Sequence, residues 1–247
     1  MKGTTDKTIF ELDGSIDNAI YKNMPLGKVK GTAKYANKNL IFDQFTSDWN
    51  DNHISGSAIL PLDFDLVSPI KSWYPGGKIS VKTEGSFRSA VFLSTFISET
   101  DSIIGDINVK LNVNGYRDEL IRDGEISIKN GSVYTILMDE PLNQISASAT
   151  LYNNIMKINS FNSSLYDSDF NRNIKDNLNL QGDIDFKQFF EPKYNLKVLG
   201  ENVFFRSLNG DIEAYTDLDL AISGKDTLNI FGTVKAKDGA IYKEFNN

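Results

Sequence analysis

From Asp106 to Asn114 the chain reads Asp-Ile-Asn-Val-Lys-Leu-Asn-Val-Asn, so each apolar side chain is followed by a polar one. Successive side chains leave a strand on opposite sides, and a period of two therefore describes a β-strand with one dry face and one wet face. The same alternation recurs at Glu125–Lys129, Ile145–Leu151, Tyr194–Val198, Asp217–Ile222 and Thr227–Ile230. Its apolar phase comprises Ile107, Val109, Leu111, Val113, Ile126, Ile128, Ile145, Leu151, Leu196, Val198, Leu218, Leu220, Ile222, Leu228 and Ile230. Asx-Gly pairs lie between or beside these runs, at Asp13-Gly14, Asp123-Gly124, Asn130-Gly131, Asn209-Gly210 and Asp238-Gly239. Such pairs supply the positive φ of tight hairpin turns, so consecutive strands are expected as neighbours in an antiparallel meander. An all-β fold follows.

Helical spacing occurs in only two places. Between Phe87 and Ser98, Val91, Phe92, Leu93, Phe96 and Ile97 fall on one side of a helix and predict a short amphipathic segment packed on the sheet. Phe186 to Phe190 predicts at most a helical turn, ended by Pro192.

Composition removes several chemistries. The 247 residues include no Cys and a single His, His53. Disulfides, a thiolate nucleophile and Cys-ligated zinc or iron–sulfur clusters are thereby excluded, and no second imidazole is present for a His-based metal site. With 33 acidic against 26 basic residues, the net charge of -7 and the lack of a basic stripe argue against binding the phosphate backbone of nucleic acid. No motif sets a Ser or an acid beside His53 as a catalytic partner. The Asp-x-Asp pairs Asp63/Asp65, Asp183/Asp185 and Asp217/Asp219 match neither an EF-hand nor a Gly-rich calcium repeat and read as wet-face charges. Trp49, Trp73 and Tyr74 are too few, and too close to turns, for a carbohydrate-binding aromatic face. The expectation is a non-enzyme with no catalytic residue, metal or cofactor.

The chain also repeats itself under different letters. Gly105 to Tyr134 parallels Gly210 to Tyr242, each ending in an alternating strand, an Asx-Gly pair and Tyr. Val29–Tyr35 with Phe45-Thr46-Ser47 parallels Ile145–Leu151 with Phe161-Asn162-Ser163, and Ile54–Ala58 parallels Leu180–Ile184. A period of 105 to 125 residues built of strands implies growth by accretion, each unit burying apolar surface against the next. The approximate units are 12–104, 105–209 and 210–247, the first and last partial, within one continuous repeat region over 1–247.

The unit from Tyr194-Asn195-Leu196 through Leu218–Gly224 and Leu228–Gly232 to Asp238–Tyr242 resembles repeats of the translocation and assembly module (TamB) family, within the AsmA-like bridge-like lipid transfer proteins. Leu12–Ile16, Gly31-Thr32-Ala33, Leu40-Ile41-Phe42, Ile54–Ala58 and Leu62-Asp63-Phe64 look like another portion of that repeat. The resemblance implies an elongated, curved antiparallel meander, a U-shaped groove, with one or two short helices. It implies that the fifteen apolar residues named above line the groove and shelter phospholipid acyl chains between the inner and outer membranes of a diderm bacterium. It further implies a role in outer-membrane biogenesis and in protein secretion, including autotransporter assembly, in the periplasm. The implied partners are acyl chains, further repeats of the same longer chain and an outer-membrane assembly-factor barrel, with no nucleic acid. Such proteins carry an inner-membrane anchor that this sequence lacks, which suggests a fragment. The alternative reading is a structural or adhesive β-solenoid with a closed core and no ligand, since core-filling and lipid-facing side chains have the same chemistry. The long repeat and short turns favour the open groove over a sandwich, which needs two sheets and Greek-key returns.

Overall fold

A computed structural model describes residues 9–21, 24–63, 72–74, 76–90, 100–135, 141–167, 172–189, 191–206 and 211–242. These residues are all-β, as the alternation requires. The strands are β1 (Phe10–Tyr21), β2 (Met24–Ala36), β3 (Asn39–Trp49), β4 (Asn52–Asp63), β5 (Ser72–Trp73), β6 (Ile79–Ser89) and β7 (Thr100–Tyr116). They continue with β8 (Glu119–Thr135), β9 (Leu142–Tyr152), β10 (Ile155–Asp167), β11 (Arg172–Asp185), β12 (Lys193–Arg206), β13 (Ile212–Gly224) and β14 (Leu228–Ile241). Apart from β5, which pairs only with β4, each strand is hydrogen-bonded to the next in chain order, giving the sequence β1-β2-β3-β4-β6-β7 and onward to β14. The pairings from β1 to β6 and from β9 to β14 are antiparallel.

No helix occurs among the described residues. Phe87 to Ser89 complete β6 instead of opening a helix, and Ala90 N–H then bonds Ile103 O at 2.8 Å; residues 91–99 lie outside the described residues. Phe186 to Phe189 form a bend and turn closed by Glu191 N–H to Gln188 O at 3.0 Å. The connection from β11 to β12 is too short, and Pro192 too near, for a further turn of helix.

The Asx-Gly pairs also behave differently from expectation. Asp13-Gly14, Asp123-Gly124, Asn130-Gly131 and Asp238-Gly239 lie inside β1, β8 and β14, while Asn209-Gly210 is outside the described residues. The tight turns use other residues: Asn37-Lys38 (φ 50° and 60°) and Asn153-Asn154 (φ 49° and 69°) have the two positive φ values of a type I′ hairpin. Among the described residues, seven of the nine non-glycine positions at positive φ are Asn, the residue type other than Gly that most readily takes this conformation. Several of these sit at irregularities within strands. Asn18 lies beside the register shift in β1, and Asn202 (φ 52°) lies where Gly200/Val203 oppose Leu218/Thr216.

Contacts divide the chain into two compact units, Met1–Phe87 with Asn108–Glu125, and Arg88–Ile107 with Ile126–Asn247. The repeat boundaries near 105 and 210 describe sequence similarity and differ from this partition. In the first unit Tyr35, Ala58, Ile79 and Phe87 are buried, Phe10 stacks on Tyr35 at 5.3 Å, and Trp49 lies tilted on Phe87 at 5.9 Å. One cross-strand row there reads Gly14, Gly31, Phe45, Gly56, Thr83. The Phe45 ring spreads over the space its glycine neighbours leave: a Cβ built on Gly56 would stand 3.0 Å from Phe45 Cζ. In the second unit Ala90, Ile107, Ile145, Ala149 and Val203 are buried, and Phe204 packs directly opposite Tyr215 at 5.2 Å.

The segments matched by internal similarity fall on matching elements. Val29–Ser47 is the β2–β3 hairpin and Ile145–Ser163 the β9–β10 hairpin; Ile54–Ala58 lies in β4 and Leu180–Ile184 in β11. The other pair is β7–β8 with β13–β14. With β5 off the path, every one of these correspondences is six strands along the sheet. Even the irregularities repeat: the register slips between Phe42 and Phe45 in β3 and between Ile158 and Ser160 in β10, ahead of the equivalent Phe45 and Phe161.

Gly182 shows where the sheet tolerates no side chain. It has φ +122°, and a Cβ there would lie 2.2 Å from Asn195 O on β12. Gly182→Ala is expected to lower stability by about 1–3 kcal/mol in urea unfolding, whereas Gly14→Ala, whose Cβ meets nothing within 4 Å, should move the midpoint little. Equal effects would refute this assignment.

Candidate functional site

The candidate site is the apolar face of the sheet, and register is what makes it continuous. Residues directly opposite one another in an antiparallel pair share a face. Across the second unit, Ala149, Ile158, Gly182, Leu196, Ile222 and Ile230 form one row over β9 to β14. Leu151, Met156, Ile184, Tyr194, Gly224 and Leu228 form the row beside it. Two more rows read Leu180, Val198, Leu220, Gly232 and Leu178, Gly200, Leu218, Val234. No charged side chain interrupts these four rows. The first unit carries its own apolar rows: Phe10, Tyr35, Leu40, Leu60 and Leu12, Ala33, Phe42, Ala58, Val81.

Of the fifteen residues predicted to line a groove, Leu196, Val198, Leu218, Leu220, Ile222, Leu228 and Ile230 are brought together on β12 to β14, with Leu151 on β9, three strands from β12, in the row of Leu228. Ile145 shares the apolar phase of β9, and a Cβ on Gly131 would meet both Ile128 and Ile145, so these belong to one cluster. Ile107 and Ile145 are each only 2% exposed. Val109, Leu111, Val113, Ile126, Ile128, Leu151, Leu196, Val198, Leu218, Leu220 and Ile222 are half-buried. Leu228 and Ile230, on the last strand, are 49% and 61% exposed. On β12 to β14 the gradient follows lateral cover, since an inner strand has neighbours on both sides and β14 on one side only. Every described strand belongs to or pairs with that one sheet.

The predicted lining did not include Met156, Ile158, Leu178, Leu180 and Ile184 of the second unit or any residue of β1 to β6, although segments of β1 to β4 and β11 were matched as repeats. Their alternation is broken in the sequence by extra bulge residues such as Asp43 and Asn159, although the rows are continuous in space. The recurrence of Phe two residues after each of these slips, at Phe45 and Phe161, was the available signal.

The opposite face is polar. Lys157, Asp183, Asn195, Ser223 and Asn229 make one of its rows. The Asp-x-Asp carboxylates are engaged there singly. Asp183 accepts from Asn195 Nδ2 at 3.0 Å, Asp185 from Lys187 N–H at 2.9 Å and Asp219 pairs with Lys197 at 3.3 Å. Asp63 pairs with Lys38 at 2.8 Å, and Lys38 also stands 4.8 Å over the Tyr74 ring; Asp65 lies outside the described residues. The Asp63 contact holds the Lys38 ammonium above its ordinary pKa. His53 Nδ1 lies 2.6 Å from Asp48 on the neighbouring strand, an exposed pair. Among the described residues no three His, Asp or Glu side chains gather as a metal set would.

No protein-family model matches this chain, and neither a curated protein nor a solved structure does.

Asp217 has the most defined electrostatics. Lys237 bonds it at 2.8 Å and the Asn202 N–H at 3.0 Å, and these hold its carboxyl below the ordinary carboxylate value against partial desolvation. A lowered folded value means that the stabilisation is present above the unfolded carboxyl pKa and is lost as pH falls through the folded one. In Lys237→Met, NMR titration of the Asp217 carboxyl should show its midpoint moved upward, toward the ordinary carboxylate value. An unchanged midpoint would show that Lys237 is not the main cause.

Proposed function

We propose that this chain is a non-enzymatic lipid-transfer segment that shelters phospholipid acyl chains on its apolar sheet face. The observation that carries this reading is the set of four uncharged rows, continuous across β11 to β14 and half-exposed along their length. Each methylene taken from water onto such a surface contributes about 0.8 kcal/mol. A few methylenes on each of several strands suffice to hold a tail, while no single contact is strong enough to stop it sliding. The polar head group stays in solvent beside the sheet. The resemblance to TamB repeats supports a placement between the inner and outer membranes of a diderm bacterium, with outer-membrane biogenesis and protein assembly as the process served.

Native mass spectrometry of protein purified from cells should find co-purifying phospholipid, and delipidated protein should take up a fluorescent phospholipid. Leu220 stands between Val198 and Gly232 on the apolar face. Leu220→Lys is expected to abolish uptake while far-UV circular dichroism retains the strand signal. Protein that comes clean from cells and takes up no lipid would defeat the proposal. Outright unfolding of Leu220→Lys would favour a closed core.

A further inference from the structure

Given the lipid reading above, we propose that Arg122 binds the phosphate of a phospholipid whose tails lie on the apolar rows of the first unit. Two glycines fix where Arg122 stands. A Cβ built on Gly124 would lie 3.2 Å from Leu111 Cα, and one on Gly115 would lie 3.4 Å from Leu120 Cα. Gly182 and Gly232 meet the Cα of Leu196 and Leu220, their register partners, in the same way. β7 and β8 are therefore antiparallel, with Leu111 opposite Gly124 and Gly115 opposite Leu120, which sets Arg122 opposite Val113. On the other side of β7, Ser80 Oγ bonds Asn114 Oδ1 at 2.9 Å and Ala90 N–H bonds Ile103 O, so β6 and β7 are antiparallel and Val81 lies beside Val113. Leu12, Ala33, Phe42, Ala58 and Val81 form one apolar row. Val113 continues that row to Arg122.

Arg122 is the one charged residue in that row and in these β7–β8 pairs. The acids of β8, Glu119, Asp123 and Glu125, occupy the alternate positions and so the opposite face. The Arg122 side chain is half-buried, and burial pulls its guanidinium below the ordinary pKa. Its Nη1 donates to Leu120 O at 3.5 Å, so the guanidinium reaches back along β8 toward the turn at Arg117-Asp118. Gly115 and Gly124, its neighbours on this face, carry no side chains and leave room beside it. A guanidinium on a surface that takes up acyl chains loses hydration as the tails arrive, a penalty offset by a lipid that brings its own anion. A phosphodiester does so, and the planar fork of Arg binds two of its oxygens at once, which an ammonium does not. With the phosphate at Arg122, the tails run onto Val113, Val81 and Ala58, while the rest of the head group stays in solvent at the turn.

Delipidated protein should bind a fluorescent phosphatidylethanolamine about tenfold more tightly than a fluorescent diacylglycerol with the same tails. Arg122→Met should remove that preference by weakening the phospholipid alone, and Arg122→Lys should restore part of it. Lys110→Gln, which alters a cation on the wet face of β7, should leave both affinities unchanged. In the wild-type chain the Arg122 Nε–H resonance should move on addition of a short-chain phospholipid and stay in place with inorganic phosphate at the same concentration, a readout that needs no variant. A preference that survives in Arg122→Met, or a resonance that answers inorganic phosphate as strongly as phospholipid, would overturn the proposal. Uptake of both lipids with no preference would remove only the head-group site and leave the sheltering of acyl chains standing, whereas uptake of neither would remove both.

Discussion

The structure depends on lateral packing between side chains of neighbouring strands. A leucine on the face of a sheet takes its lateral cover from the residues to either side in its own row. Leu220 is half-covered because Val198 is its direct neighbour, while Ile230 on the terminal strand is mostly bare. A slip of one residue in any pairing would turn that strand's apolar set to the wet side and break every row at once. Register is thus the variable that both stabilises the sheet and defines its greasy face.

Strands this long cannot keep register by alternation alone, because twist accumulates along them. The bulges at Asn18, at Asp43, at Asn159 and at Asn202 each add a residue to one strand, which bends it locally and resets its register against the neighbour. Asn tolerates the left-handed backbone that several of them require, and at Asn202 the cost is further offset by the bond from its N–H to Asp217. The glycines act differently. At Gly182 and Gly232 the neighbouring carbonyl oxygens come within about 2 Å of where a Cβ would be, so closeness of backbones is what fixes the residue type.

Much of this was readable from the residues. Clean alternation at 106–114 and 217–222 gave β7 and β13, and the self-similarity of Val29–Ser47 with Ile145–Ser163 identified two hairpins that turn out to be equivalent. The turns were misread for a physical reason: Asx-Gly satisfies the backbone of a bulge as well as that of a hairpin, and at Asn130-Gly131 the chain uses it inside β8. Ile158 and Leu178 escaped notice because a one-residue bulge inverts the phase of the alternation, and a pattern counted along the sequence loses what a row across the sheet preserves. The candidate lining was therefore legible where strands are regular, in β12 to β14, and hidden where they are not.

The six-strand period has a geometric consequence. Strand direction reverses at every step of an antiparallel sheet, so an even period returns each repeat to its starting polarity. Equivalent turns, Asn37-Lys38 and Asn153-Asn154 among them, then emerge at corresponding ends of equivalent hairpins. Gain or loss of a single strand would exchange the two rims for everything downstream, while gain or loss of a hairpin would leave them in place. A sheet of this kind is thus free to vary in length in steps of two strands, about 10 Å at a time, without altering what its rims present to a neighbour.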